Sequence, residues 1–108
     1  MTPEGKIRSY LKKRCKAVGL EHRKLSWIGR RNAPDEFVFA PNPDAHCFYD
    51  PPVWVVVPRA AYIECKAPGE APNGGQEREI ERLRNAGFHV FVVDSFEAVD
   101  AVIGKLVG

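Results

Sequence analysis

Ile63-Glu64-Cys65-Lys66 ends an apolar segment and stands directly before a segment that contains Pro68 and Gly69. In a strand, Glu64 and Lys66 point to one face of a sheet, and their neighbours point to the other. The carboxylate can bind a hard divalent cation, and the ammonium can orient a water molecule or offset charge on a phosphate. An exposed ion pair at a strand end would use the same two residues, so this pattern alone is a weak indication of catalysis.

Asp35 supplies a second carboxylate, at the start of a strand predicted over residues 35–40. The preceding Pro34 holds the chain extended at this point. Antiparallel pairing of the two strands would bring Asp35 close to Glu64. Two close carboxylates repel each other unless a cation lies between them, so the pair indicates a metal site. An ordinary turn at Pro34 and Asp35 is the alternative that the local sequence leaves open.

Two further polar side chains are predicted to face the sheet from helices. Gln76 opens a helix predicted over residues 76–86, on the face that carries Ile80 and Leu83. Glu4 lies three residues before Ile7, on the inward stripe of the first helix. Each also has an ordinary explanation, since glutamine can hydrogen-bond at a helix end and an acidic residue favours a helix N-terminus.

The periodicity of the whole chain predicts a mixed sheet flanked by helices, within one domain over residues 1–108. The predicted order is α-β-β-β-α-β-α, with one strand more before the second helix when residues 53–57 and 60–66 are separate strands. The first helix begins with Thr2 as its N-cap and ends at Gly19. Strands are predicted over residues 25–28, 35–40, 53–57, 60–66 and 88–93, and the last is expected to be central. Residues 53–57 and 60–66 could also form one bent strand, because Pro58 cannot donate to a ladder.

Two other segments complete this description. Residues 41–52 are rich in Pro, Asn and Asp and are predicted to form a loop. A last helix opens at Asp94-Ser95-Phe96-Glu97, which resembles a capping box. Its predicted buried residues are Phe96, Val99, Val102, Ile103 and Leu106.

The charge distribution favours a polyanionic partner on the N-terminal third of the chain. The net charge is only +2, but the basic residues between Lys6 and Arg31 have Glu21 as their one acidic neighbour. Such asymmetry is typical of a phosphate-facing surface, although a merely solvated helix face would look similar. The DNA-binding candidates are Lys6, Arg8, Lys12, Lys13, Arg30 and Arg31.

Several classes of protein are excluded or disfavoured. Apolar residues make up 44% of the 108 positions, and no apolar segment is long enough to span a bilayer or to serve as a secretion signal, which predicts a cytoplasmic protein. The three cysteines form no CxxC pair, and Cys15 and Cys65 are predicted to lie in the core. The three histidines show no metal-ligand spacing and receive no catalytic role.

These residues resemble the virus-type replication-repair nuclease (VRR-NUC) domain of the PD-(D/E)XK superfamily, which has a restriction-endonuclease-like fold. The resemblance covers nearly the whole chain. It rests on Glu4, Gly29-Arg30-Arg31-Asn32-Ala33-Pro34-Asp35, Ile63-Glu64-Cys65-Lys66-Ala67-Pro68-Gly69, Gln76 and Leu83-Arg84-Asn85-Ala86-Gly87. Small free-standing members of that family, often phage-encoded, are dimeric and act on branched DNA such as four-way (Holliday) junctions.

The resemblance also implies a set of site residues. The metal ligands would be Glu4, Asp35, Glu64 and the backbone carbonyl of Cys65, and the ion would be Mg²⁺ or Mn²⁺. Lys66 would position the attacking water, and Gln76 would support the site. Residues 41–52 lengthen the separation between the first acid and Glu64, so Asp50 is an alternative to Asp35.

The predicted function is that of a metal-dependent, structure-selective DNA endonuclease, which hydrolyses phosphodiester bonds in branched DNA as a homodimer. A sequence-specific endonuclease of the restriction type would share this chemistry, but the sequence offers no dedicated base-reading element. A non-catalytic nucleic-acid-binding module is the second alternative. Binding of divalent ions through Asp35 and Glu64 separates a nuclease from such a module.

Overall fold

The computed structural model describes residues 1–49 and 52–107. The chain order is α-β-β-β-β-β-α-β-α. The elements are α1 (Pro3–Val18), β1 (Glu21–Lys24), β2 (Glu36–Phe39), β3 (Asp44–Tyr49), β4 (Pro52–Val57), β5 (Ala60–Cys65), α2 (Gly74–Asn85), β6 (Val90–Val93) and α3 (Phe96–Val107). The predicted mixed sheet flanked by helices is confirmed.

A four-stranded sheet with the order β1-β2-β5-β6 positions the functional residues. β1 pairs antiparallel with β2, and β2 pairs antiparallel with β5, whereas β5 and β6 run parallel. Glu36 lies opposite Ile63 in the register of β2 and β5. Asp35, one residue before Glu36, is therefore placed beside Glu64 at the end of the pairing.

The core lies between one face of this sheet and the helices α1 and α3. Alternate sheet residues are fully buried against these helices, and they include Val38, Ala61 and Ile63. Ile7 and Leu11 cover them from α1, as the helical spacing predicts. The Thr2 hydroxyl accepts a hydrogen bond from the Gly5 N–H and caps α1 as predicted. Further core residues are Cys15, Cys65, Val99, Val102, Ile103 and Leu106.

The strand predicted over residues 25–28 is wrong. The observed strand β1 lies earlier, at Glu21–Lys24, and it is almost entirely polar. β1 is an edge strand whose position is set by pairing with β2, and charged side chains are common on such edges. Its one half-buried member, His22, lies opposite Val38.

The loop predicted over residues 41–52 is also wrong for most of its length. β3 begins at Asp44 and pairs antiparallel with β4 in a separate two-stranded sheet. The backbone pairing with a Val-rich partner outweighs the weak strand propensity of this segment. β4 and β5 belong to different sheets, so the alternative of one bent strand is wrong and the prediction of two strands is confirmed.

Two smaller corrections concern the C-terminal third. β6 lies at the edge of the sheet and not at its centre. Its apolar character is explained by contacts with both α2 and α3. Phe96 is not buried in the core but stacks on Tyr10, with ring centroids 4.4 Å apart. Ser95 caps α3 by accepting a hydrogen bond from the Ala98 N–H.

Within residues 1–49 and 52–107, none of the three helices combines the length and the apolar character that a membrane span would need.

Candidate active site

Asp35 is fixed at the start of β2 by contacts on two sides. The buried Pro34 precedes it, and the backbone N–H of Cys65 donates a 2.8 Å hydrogen bond to its Oδ2. Its Oδ1 lies 3.1 Å from the guanidinium of Arg8. The carboxylate is thus held at the junction of β2 and β5, where the sequence places it.

Glu64 points to the sheet face opposite the core helices and is only 2% exposed. Its Oε1 lies 3.5 Å from the Gln76 amide nitrogen. Its Oε2 is buried and has no hydrogen-bond partner among the described residues. Burial raises the pKa of Glu64 to about 8, and the nearby carboxyl group of Asp35 acts in the same direction. The positive charge of Lys66 opposes this rise.

These two acids fit a divalent cation. Their oxygens are hard ligands of the kind that Mg²⁺ and Mn²⁺ prefer. The buried and unpartnered Oε2 of Glu64 would gain a ligand bond, and a cation would remove the repulsion that raises the pKa of this group. These oxygen donors therefore support a metal site at Asp35 and Glu64.

Glu4 is not brought into direct contact with this pair. No group of three or more His, Cys, Asp or Glu residues that could hold a metal is found in residues 1–49 and 52–107. Glu4 instead lies 3.6 Å from the Arg8 guanidinium. Glu4 and Asp35 both contact Arg8, and the charge of Glu4 also helps to raise the pKa of Glu64.

Arg8, predicted only as a DNA-binding residue, also contacts the acids of the site. Burial lowers its pKa, but the charges of Asp35 and Glu4 outweigh this effect and raise it above the ordinary arginine value. The guanidinium supplies positive charge beside the two carboxylates. Its spacing of four residues from Glu4 is the sequence signal that could have indicated this ion pair.

Gln76 links the site to the N-terminus of α2. Its Oε1 accepts a hydrogen bond from the Asn73 N–H, and the Asn73 side chain accepts one from the Gln76 N–H. This reciprocal capping box holds the amide in one orientation, with its nitrogen directed to Glu64. Gln76 therefore caps the helix and contacts Glu64 at the same time.

Lys66 directly follows β5 and is half-buried. Its backbone N–H donates a 2.9 Å hydrogen bond to the Val93 carbonyl, which anchors it to β6. Its side chain lies close enough to Glu64 for its charge to lower that pKa. An anchored cation beside two acids can orient a water molecule or bind a phosphate oxygen.

The remaining predicted DNA-binding residues fall into two groups. Lys6, Lys12 and Lys13 are exposed on α1, and Arg31 is exposed in the loop before β2. Arg30 is instead bound to Glu79 of α2, with two hydrogen bonds of 3.1 and 3.2 Å. Glu79 is 6% exposed, and no pattern in the sequence distinguishes it from the other acids of α2.

A further acid, Glu36, directly follows Asp35 in the sequence and is buried. Its Oε2 lies 3.0 Å from His22 Nε2 on β1. Burial raises the pKa of Glu36 and lowers the pKa of His22, and the nearby Lys12 and Arg23 lower the latter further. Both shifts favour uncharged forms, so this contact differs from an ordinary ion pair. The sequence carries no signal for it, since the register of β1 was not predicted.

Asp50, the alternative to Asp35, lies outside the described residues.

Cys15 and Cys65 are fully buried as predicted. Burial raises the pKa of both thiols, to about 11 and about 12 respectively. Neither cysteine side chain is therefore suited to nucleophilic chemistry.

Comparison with known proteins gives two informative matches. No family model matches the sequence. The chain is 34% identical over 92 residues to "Putative nuclease p44" of Acyrthosiphon pisum secondary endosymbiont phage 1, covering 85% of this chain and 83% of the phage protein. It is also similar to a solved structure described as a VRR_NUC domain, with 36% identity and a TM-score of 0.77. That alignment covers 96% of this chain and 97% of the solved one.

Proposed function

Because this chain belongs to the VRR-NUC family of nucleases, with the fold of that family, we propose that it is a metal-dependent endonuclease selective for branched DNA. The proposed active unit is one nuclease domain over residues 1–108. Asp35 and Glu64 hold Mg²⁺ or Mn²⁺, together with the backbone carbonyl of Cys65. Glu4 acts from a greater distance, through its contact with Arg8. The phage origin of one relative supports action inside a bacterial cell.

The observation that carries this proposal is the pair of acids at the end of β2 and β5. A stable fold has no structural need for a 2% exposed glutamate with an unpartnered oxygen beside an aspartate. Such an arrangement costs free energy in the absence of a cation, because burial and repulsion both oppose ionisation. Perturbed acids of this kind are typical of functional sites.

Each side chain has a distinct part in the proposed reaction. Asp35 is oriented by the Cys65 N–H and Arg8, and Glu64 is oriented by the Gln76 amide. Lys66 orients the attacking water in line with the leaving oxygen. A divalent ion bound there supplies Lewis acidity and stabilises the charge that develops on the phosphate. The attacking water gives up a proton to solvent, and the leaving oxygen collects one from solvent.

The basic surface supplies affinity for the DNA backbone without reading bases. Lys6, Lys12 and Lys13 extend from the active-site end of α1 along its exposed side. Contacts to phosphates position a duplex but carry no sequence information. Selectivity for branched DNA must therefore come from the shape of the substrate and from the arrangement of the active sites.

An aromatic sheet face supports the homodimer in this proposal. Phe37 and Phe88 flank Tyr62 with ring centroids 5.0 and 5.6 Å away, on the face opposite the core helices. Phe88 is 51% exposed. A shallow apolar cavity of about 320 Å³ lies beside them, lined also by Val57 and Pro58. A second copy of the chain packed here would cover this surface.

Phe88→Arg is expected to convert the dimer into a monomer, because it places two like charges in an apolar interface. Sedimentation equilibrium of the parent and the variant at several concentrations measures this change. Val18→Arg introduces the same charge at an exposed apolar residue at the end of α1 and should leave the dimer intact. A Phe88→Arg protein that stays dimeric would show that the subunits meet elsewhere.

Cleavage of a labelled four-way junction is expected in Mg²⁺ or Mn²⁺, and cleavage of a linear duplex of matched sequence should be much slower. Phosphodiester hydrolysis at this site depends on the cation, so EDTA should stop it and added Mn²⁺ should restore it. Denaturing gels of 5′-labelled strands give both rates and positions. Equal cutting of both DNAs would refute the structural selectivity, and binding without any cutting would favour the non-catalytic module.

A further inference from the structure

Ile28 stands out as an apolar side chain placed in full contact with solvent. Its exposure is 102% of the reference value, the highest of the large hydrophobic residues in the described part of the chain. It occupies a turn with Gly29, whose φ of 73° lies in the left-handed region that glycine favours. This turn belongs to the segment between β1 and β2, which ends at Asp35.

The base of this turn is held on one side by Glu79. The carboxylate accepts a 2.7 Å hydrogen bond from the Trp27 indole N–H and two bonds from Arg30. Burial alone would raise the pKa of Glu79, but the hydrogen bonds from Arg30, Trp27 and Arg82 outweigh this effect and lower it. Trp27 also packs edge-on against Tyr62. The residues on both sides of the turn are therefore anchored, and Ile28 projects from a fixed base.

The same segment is tied to the active site through Asn32. Asn32 has a φ of 67°, and its amide lies so close to Gly75 that a Cβ there would be 2.6 Å from Nδ2. Gly75 directly precedes Gln76, whose amide contacts Glu64. The turn and the proposed catalytic carboxylate thus share one support, the N-terminal part of α2.

The charges around Ile28 indicate the chemistry of its partner. Arg31 is exposed three residues after the tip, and Arg30, although bound to Glu79, keeps 54% of its side chain exposed. An apolar tip followed by cationic side chains is poorly suited to an apolar protein pocket, because such a pocket would desolvate the arginines. It suits nucleic acid, in which apolar base faces are flanked by phosphates.

We propose that Ile28 is a wedge that inserts between neighbouring bases at the branch point of DNA, with Arg31 binding the flanking phosphate. This inference rests on the proposed function, since it explains how that activity distinguishes branched from linear DNA. Inserting an apolar side chain requires unstacking a base step, which costs more free energy in a continuous duplex than at a point where stacking is already interrupted. A branch point is therefore cut in preference to a linear duplex.

The first test of the wedge measures the unstacking of bases under conditions in which no DNA is cleaved. A four-way junction with 2-aminopurine next to the branch point reports unstacking as an increase in fluorescence. Lys66→Ala protein in Ca²⁺ should raise this fluorescence, and Lys66→Ala combined with Ile28→Ala should not, although both bind the junction. Combination with Ile28→Phe, which keeps an apolar tip, should retain the increase. Val18→Ala removes an exposed valine at the far end of α1 and serves as the matched control.

Cleavage then separates this inference from the proposed function. Ile28→Ala should lower the ratio of junction to linear cleavage by about tenfold, as expected when one insertion contact is lost. If the parent cuts junctions and Ile28→Ala leaves both the ratio and the fluorescence unchanged, the wedge is refuted and the nuclease stands. If the fluorescence depends on Ile28 but the parent cuts no DNA in any metal, the nuclease is refuted and the wedge stands. Loss of self-association in Ile28→Ala, without any change on DNA, would identify the tip as a protein contact and refute the wedge.

Discussion

Lys66→Ala is expected to abolish detectable cleavage while leaving the fold and DNA binding intact. Lys66 is the cation whose charge lowers the pKa of Glu64, and its N–H bond to Val93 does not depend on the side chain. Removing a positioned charge of this kind costs roughly 100-fold to 1,000-fold in rate. Single-turnover cleavage of a four-way junction in Mn²⁺ measures the effect. Circular dichroism and a binding assay in Ca²⁺ establish that the variant is folded.

Asp35→Asn provides a companion to Lys66→Ala. The amide oxygen can still accept the hydrogen bond from the Cys65 N–H, so the local backbone is retained while the negative charge is lost. This variant should lose both metal binding and cleavage, whereas Lys66→Ala should lose cleavage alone. Lys16→Ala, on the exposed last turn of α1, is the control for a lysine distant from the site. Full activity of Lys66→Ala would remove Lys66 from the proposed mechanism.

Glu64→Gln is expected to make the metal-free protein more stable above pH 8 and, at the same time, inactive. The pKa of Glu64 is about 8 in the folded protein and near 4.5 when the chain is unfolded. Between these values the folded state holds a proton that the unfolded state lacks, so the free energy of unfolding falls as the pH rises. The loss across this window is on the order of a few kcal/mol for a group buried this deeply. Glutamine is uncharged at every pH and can keep the contact with Gln76.

Thermal unfolding in EDTA between pH 5 and 9 measures this difference. The parent should lose stability as the pH rises toward 8, and Glu64→Gln should show a much weaker dependence. Added Mg²⁺ should stabilise the parent at pH 8.5 and have little effect on the variant, because the ligand charge is gone. Identical pH profiles for the two proteins would show that Glu64 is ionised throughout and that burial does not perturb it.

The residues that could be predicted are those whose positions follow from local geometry. The position of Glu64 near the end of β5 and the proline before Asp35 were sufficient to place both acids at one end of the sheet. The buried apolar stripe of α1 followed from helical periodicity, and its caps followed from the residue types of Thr2 and Gly19. Gln76 was predicted to open the second helix; it lies in the first turn of α2, which begins two residues earlier, at Gly74.

The features that could not be predicted depend on contacts between distant segments. β1 has no apolar alternation, so its position becomes clear only through its pairing with β2. β3 contains residues typical of loops and exists through its pairing with β4. Glu79 and Arg30 are 49 positions apart, and no local pattern connects them. Arg8 could be assigned to a basic surface from composition, but its place beside Asp35 required the packing of α1 on the sheet.

Because both ends of the Gln76 amide make a contact, few substitutions should be accepted at this position during evolution. Its oxygen must accept from Asn73 and its nitrogen must reach Glu64, so both ends of one short side chain are committed. Asparagine is one methylene shorter, and an ionised glutamate could accept but not donate. Substitutions should therefore accumulate at the exposed neighbours Glu77 and Arg78 long before they are tolerated at Gln76. Among descendants of this gene, we expect position 76 to change last in its helix.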